Sequence, residues 1–158
     1  MGKYQARIAG EVIAARAAGS PLDSDPFGRH ADVADHDQVP QVTFTDPEIG
    51  SVGLTEQQAR DRGLDVEAVE YDLAAVAGSY LLRENYLGRA KLVVDRQRDV
   101  LLGATFVGFG VAELTHSATM AVVAKIPVPV LWHVVPSYPT VSEIWLRLLE
   151  DLATRRQG

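Results

Sequence analysis

The chain predicts an α+β domain: a largely antiparallel sheet with helices packed on one side. Three observations predict it. Apolar residues alternate over 42–44, 52–54 and 66–73, which gives strands. Two more apolar runs, 88–95 and 100–107, flank a polar turn at Arg96–Asp99 and give a strand pair. Helical spacing occupies both ends, so the order is helix, strands, helices.

Residues 4–17 predict the first helix, with Ile8, Val12 and Ala15 on one face, Glu11 and Arg16 flanking it, and Gly19 as its stop. Residues 19–39 are rich in Pro, Asp, Ser and Gly and predict a long loop or linker. The expected organisation is a linking helix and loop over 1–38 and a domain over 39–158. Val42 and Phe44 alternate in that domain's first strand, Val52 and Leu54 in its second, and Asp46-Pro47 turns the chain between them. Thr55 and Gln58 have capping-box spacing for a short helix ending near Gly63. Val69, Tyr71 and Leu73 alternate in the next strand. Residues 74–86 are ambiguous, because Gly78 counts against a helix. The strands at 88–95 and 100–107 are apolar enough for a sheet buried on at least one face. Leu114, Ala118, Ala121 and Val122 stripe a helix over 110–125. Pro127 and Pro129 break it, and residues 131–135 can add a short helical turn. Ile144, Leu148, Leu149 and Leu152 define a last amphipathic helix, expected to fray from Thr154.

Composition narrows the function. The 158 residues suffice for one domain with its own core, and 47% hydrophobic with 23% charged residues is ordinary for a soluble globular protein. A net charge of −6 lacks the basic face that nucleic acid or an anionic membrane requires, so neither is an expected partner. No apolar run approaches the roughly 20 residues of a spanning helix, and no signal-peptide pattern opens the chain. The expected location is cytoplasmic. There is no cysteine, which excludes disulfides, thiolate zinc sites and a cysteine nucleophile within these residues. His30 and His36 lie with Asp32 and Asp35 in the acidic loop, at a spacing that matches no defined metal site. Gly103, Gly108 and Gly110 do not form G-x-G-x-x-G after a strand, and no Walker A pattern occurs. Hence no phosphate site for FAD or NAD(P)H is readable, and neither is expected to bind this chain alone.

The chemistry concentrates in residues 133–145, which hold His133, two prolines, Tyr138, Thr140 and Glu143. By spacing alone, Thr140-x-x-Glu143 is a capping box. The Thr hydroxyl accepts from the Glu amide and the Glu side chain reaches back, a cap of about 1 kcal/mol. Tyr138-Pro139 is a candidate cis bond. His133 reads as a helix-end residue whose ring satisfies carbonyls, and His116 as a packed or surface histidine.

The closing turn, Tyr138-Pro139-Thr140-x-Ser142-Glu143, resembles the C-terminal His-Pro-Thr-x-Ser-Glu signature of the pyridine nucleotide-disulfide oxidoreductases. Lipoamide dehydrogenase, glutathione reductase and mercuric reductase belong to that family. The likeness runs along the chain. Gly2–Arg7 resembles the segment leading from the family's flavin domain into its last domain. Val42–Glu56 is similar to the first strands of that last domain. Gly88–Asp95 and Leu102–Gly108 resemble its paired central strands, and Gly110–Lys125 the helix that follows.

The resemblance implies a C-terminal dimerisation (interface) domain of an FAD- and NAD(P)H-dependent oxidoreductase. It would work as a homodimer, joined to FAD- and NAD(P)-binding domains. In the family the active site forms between subunits, and this domain gives a His-Glu pair to the partner's flavin site. The matching residues here are Tyr138 and Glu143, with Pro139 and Thr140 near the partner flavin, presented by the cis turn. Leu114, Val122, Val130 and Trp132 are the candidate interface residues.

Tyr138 departs from the signature. Histidine, with an ordinary pKa of about 6.5, carries protons at neutral pH, whereas tyrosine, at about 10, is a poor base there. Tyrosine can still donate a hydrogen bond or act as a general acid. Mercuric reductases also place Tyr at this position, but they add a C-terminal cysteine pair that this chain lacks. The alternative reading is a self-association module with no catalytic activity of its own.

Overall fold

The computed structural model describes residues 1–34 and 37–158. Of the four histidine-loop residues, Asp35 and His36 lie outside the described residues. The chain divides into two compact units, Met1–Val39 and Pro40–Gly158.

In the first unit, helix α1 spans Gly2–Ala17. None of its residues is fully buried, yet Tyr4, Ile8, Glu11, Val12 and Ala15 are partly covered and share one face. Gly19 follows in the left-handed region, φ 63°, where the absence of a Cβ removes the steric cost. The linker is a folded loop. His30 Nδ1 accepts from the Asp23 amide at 2.8 Å, Asp23 Oδ2 accepts from the Arg29 amide at 3.0 Å, and Arg29 pairs with Glu11 at 2.8 Å.

The second unit is built on a five-stranded antiparallel sheet: β1 (Gln41–Thr43), β2 (Glu48–Gly53), β3 (Val66–Asp72), β4 (Arg89–Asp95) and β5 (Val100–Gly108). Their spatial order is β1-β2-β5-β4-β3. The β4–β5 hairpin forms where the sequence predicts it. The Asp95 carboxylate, buried in the turn, accepts from the amides of Gln97 and Arg98 and from Arg98 Nε at 2.7–2.9 Å. Phe44 departs from expectation. β1 ends at Thr43, and Phe44 is 78% exposed beyond it.

Alternation along β4 sorts its side chains to two faces. Leu92 and Val94 join Phe106 and Ala104 in the main core. That face is covered by α4 (Val111–Val123), through Leu114, Ala118 and Ala121, and by α6 (Ile144–Gln157), through Ile144, Leu148 and Leu152. Val93 points the other way and packs with Leu54, Ala59 and Val66 beneath short α2 (Glu56–Asp61). The long helices therefore take one side, as expected, and α2 covers part of the other. The Thr55–Gln58 capping box forms as its spacing predicts.

Residues 73–82 resolve into a 3-10 turn at Leu73–Ala75 and α3 (Ala77–Leu82), with Gly78 inside the helix. The glycine is required by contact. A Cβ there would sit 2.0 Å from the carbonyl carbon of Thr140. After α4, a single helical turn, α5 (Val128–Leu131), precedes the irregular segment 132–140. α6 does not fray at Thr154. It continues to Gln157 because Arg156 pairs with Glu67 and Asp99, and Arg155 donates to the Ala68 carbonyl. Among the described residues, no helix is long and apolar enough to cross a membrane.

Candidate functional site

The turn that sequence singled out connects α5 to α6 and is held from three sides. Below it, α3 presents Gly78 to the backbone of Thr140 and Val141. On the α6 side, Trp145 Nε1 donates to Ser117 Oγ of α4 at 3.0 Å, and the Trp145 ring meets Phe106 at a centroid distance of 6.3 Å. Within the turn, Thr140 Oγ1 donates to the Ser137 carbonyl at 2.6 Å. The peptide bonds Tyr138–Pro139 and Asp46–Pro47 are both cis.

The second capping box is not formed. The Thr140 hydroxyl is turned back to Ser137, and a one-turn 3-10 helix, Val141–Glu143, leads into α6 with no side-chain cap. Glu143 is used differently. Its side chain is buried, Oε1 accepts from Arg147 Nη2 at 2.8 Å, and Arg147 Nη1 also reaches Glu150 at 3.1 Å. Glu143 and Glu150 together push the Arg147 guanidinium above its already high ordinary pKa. The second carboxylate oxygen, Glu143 Oε2, is buried with no hydrogen-bond partner among the described residues. An unpaired buried carboxylate oxygen is costly and calls for an explanation. Ser79 Oγ, in α3, is likewise buried without a partner.

Tyr138 and Glu143 line one cavity of about 180 Å³. They are not hydrogen-bonded to each other: Tyr138 is 77% exposed, with its hydroxyl unbonded among the described residues. Pro139 is exposed and Thr140 half-buried. Tyr86, by contrast, is a structural tyrosine. Burial, then the charge of Glu48, pushes its phenol up to about 12, and the hydroxyl donates to the Phe109 carbonyl at 2.8 Å.

The four expected interface residues separate. Leu114 and Val122 are 7% and 9% exposed and belong to the domain's own core, so they offer no free surface. Val130 and Trp132 are 52% and 45% exposed. Met120, Val134 and Val135 are exposed as well. Sequence reasoning missed these three, although an apolar pair in an irregular proline-flanked segment was a usable signal. His133 is exposed, and its backbone N–H, not its ring, bonds to the Val130 carbonyl. His116 lies on the surface. No group of three or more His, Asp or Glu side chains suited to a metal occurs among the described residues.

Residues 39–148 match the family model for the pyridine nucleotide-disulphide oxidoreductase dimerisation domain. The chain belongs to this family. Dihydrolipoyl dehydrogenase of Geobacillus stearothermophilus is 30% identical to it over 147 residues, covering 93% of this chain and 28% of the relative. The dihydrolipoyl dehydrogenase of Mycobacterium tuberculosis strain H37Rv is 38% identical over 111 residues, covering 70% of this chain and 24% of the relative. Among solved structures, LpdA from Mycobacterium tuberculosis shares the fold, with a TM-score of 0.73 at 22% identity over 90% of this chain and 29% of that one. A Cu(II) complex of the HOCl-induced flavoprotein disulfide reductase RclA from Escherichia coli gives a TM-score of 0.70 at 27% identity, covering 80% and 29%.

This dimerisation domain thus spans about 24–28% of the length of the curated relatives it matches. Of the four expected interface residues, Val130 and Trp132 are the two that remain exposed.

Proposed function

We propose that this domain serves an FAD- and NAD(P)H-dependent oxidoreductase that acts as a homodimer, and that it supplies Tyr138 and Glu143 to the partner subunit's flavin site. The observation that carries the reading is the pairing of an exposed, unbonded phenol with a buried, unpaired carboxylate oxygen on one cavity. Surface tyrosines are common, whereas a buried carboxylate oxygen without a hydrogen-bond partner calls for an explanation, and a contact made on assembly would supply one.

The residues fit the edge of a flavin site and not its dinucleotide cradle. About 180 Å³ is too small for FAD, and no basic side chain lines the cavity among the described residues. The flavin, bound elsewhere, would supply the electron transfer. This chain's residues would act at the acceptor. The Tyr138 hydroxyl donates a hydrogen bond or a proton there. Glu143 stays fixed by Arg147 and accepts. α3 and Trp145 keep the turn in place.

The exposed apolar residues Met120, Val130, Trp132, Val134 and Val135 favour self-association through a two-fold contact, with the same patch on both subunits. The role of Tyr138 is tested in the full-length enzyme by stopped-flow absorbance. Tyr138→Phe is expected to leave flavin reduction by NAD(P)H unchanged and to slow flavin reoxidation by the acceptor by about 10²-fold or more, the usual range for a lost proton donor. Unchanged reoxidation with every acceptor tried would end the proposal for Tyr138.

A further inference from the structure

A second exposed apolar surface lies apart from the strip of Met120, Val130, Trp132, Val134 and Val135. Six large side chains, Phe44, Tyr80, Leu81, Leu82, Leu87 and Phe109, are 42–79% exposed. The sheet gathers them at one end. β2 begins at Glu48, opposite Gly108 where β5 ends, and Val107 of β5 stands opposite Arg89 where β4 begins. Residues 44–48, 83–89 and 108–110 therefore meet there, and α3 runs into the same end. Arg83 ties the pieces together. Its guanidinium donates to both Asp46 carboxylate oxygens, at 2.6 and 2.9 Å, and lies 5.2 Å from the centre of the Phe109 ring. Leu82 Cδ2 would lie 3.3 Å from a Cβ at Gly110. Because Arg83 and Asp46 already neutralise each other, covering this end leaves neither charge unpaired. Six side chains of about 150–200 Å², roughly two-thirds exposed, leave on the order of 600 Å² of surface. That is the upper end for the largest apolar patch on a monomer, and patches of that size mark contacts.

What covers this end follows from α3. Gly78 sets the α3 backbone against Thr140 and Val141 of the Tyr138 turn. At about 100° per residue, Leu81 and Leu82 lie about 60° and 40° to either side of Gly78, so they border the turn. α3 has six residues and is about 9 Å long, whereas even a 100-residue domain has a radius of gyration of about 13 Å. A domain that holds its flavin at Tyr138 therefore spreads over α3. Only 28% and 24% of the two dihydrolipoyl dehydrogenases lie in the matched region, so most of such a protein is available to form that cover.

We infer that this end of the sheet, led by Leu81 of α3, docks an apolar face of the partner subunit's flavin-binding domain. The inference rests on the reading of this chain as part of a flavin-dependent homodimer and adds a second contact to it. The strip around Trp132 meets its own copy, while the sheet end meets a different domain.

The test uses the full-length enzyme in mixed dimers. One subunit carries the photocrosslinker p-benzoylphenylalanine in place of Leu81, and the other carries a tag that shifts its mass. Irradiation is expected to join the two subunits at least ten times more efficiently than the same crosslinker in place of Gln57, an exposed residue of α2. Peptide mapping is expected to place the bond in the partner's flavin-binding domain. A bond within the same subunit, a bond to the partner's own dimerisation domain, a yield no higher than at Gln57, or a full-length protein that is monomeric would overturn the inference. Leu81→Glu should raise the dimer Kd of the full-length enzyme at least tenfold. Because Leu81 is 70% exposed, the same change should leave the Tm of the 158-residue chain within about 2 °C of wild type. An unchanged Kd, or a Tm loss in the isolated chain that accounts for the change in Kd, would also overturn it.

Crosslinking needs no turnover, so this test separates from the preceding proposal. A crosslink to the partner's flavin-binding domain alongside unaltered reoxidation in Tyr138→Phe would leave the docking surface as assigned and remove the role of Tyr138. Slowed reoxidation without that crosslink would leave Tyr138 its role and remove the docking surface.

Discussion

Replacing Gly78 by alanine sets helix propensity against packing. On propensity alone, Gly to Ala inside a helix stabilises by about 1 kcal/mol. At Gly78 the added Cβ would lie 2.0 Å from the Thr140 carbonyl carbon, and 2.4 Å from both Thr140 Cα and Val141 N. Ordinary contact begins near 3.4 Å, so α3 or the 138–143 turn must retreat by about 1.4 Å. The obstructing atoms are backbone, which cannot swing aside as a flexible side chain can, so the upper part of the overpacking range applies, about 2–3 kcal/mol. The net expectation is a loss of about 1–2 kcal/mol, or roughly 4–8 °C in Tm at about 4 °C per kcal/mol. Gly10→Ala is the control, because nothing lies within 4 Å of a Cβ at Gly10 in α1. The assay is thermal melting by near-UV circular dichroism, which follows Trp145 packing. A Gly78→Ala domain that melts at or above wild type would refute the close approach of α3 to the turn.

Other predictions follow from the same geometry. Burial raises the Asp95 carboxyl pKa, but the Arg98 amide, the Arg98 guanidinium and the Gln97 amide outweigh burial and leave it lowered. A carboxyl with a depressed folded pKa stabilises above its unfolded value of about 3.9 and loses that contribution as pH falls through the folded value. Asp95→Asn should therefore cost about 1–2 kcal/mol in urea denaturation at pH 7, with the gap to wild type closing below about pH 4. An equal gap at both pH values would contradict the turn's electrostatics. Trp132→Glu places a charge on the exposed apolar strip, and light scattering should show a dimer of the chain shifting to monomer. A wild-type chain that stays monomeric at high concentration would remove this strip as a self-sufficient contact.

Much of the fold was legible because its signals are local. The β4–β5 hairpin follows from two apolar runs around Asp95–Asp99, and the α2 cap from Thr55 and Gln58. The same logic fails at Thr140 and Glu143, whose spacing is identical in kind. There the Thr hydroxyl finds the Ser137 carbonyl and the Glu finds Arg147, a competition that spacing does not express. Gly78 looked like a helix breaker because the reason for it, the backbone of Thr140, lies far along the chain. Leu114 and Val130 are equally apolar in sequence, and only tertiary packing puts one in the core and leaves the other exposed. At the site, the sequence located Tyr138 and Glu143. Nothing in the sequence signals that one Glu143 oxygen is buried without a partner, because that depends on how Arg147, Glu150 and the surrounding chain pack.

The proposed role places Tyr138 at the flavin of the other subunit. A mixed dimer of the full-length enzyme tests it most directly, pairing a Tyr138→Phe subunit with one whose own flavin site is disabled. The sole flavin then sits in the Tyr138→Phe subunit and faces an intact Tyr138 from its partner. Acceptor turnover per flavin is expected to equal wild type, and turnover as low as in the Tyr138→Phe homodimer would contradict a role for Tyr138 across the subunit boundary.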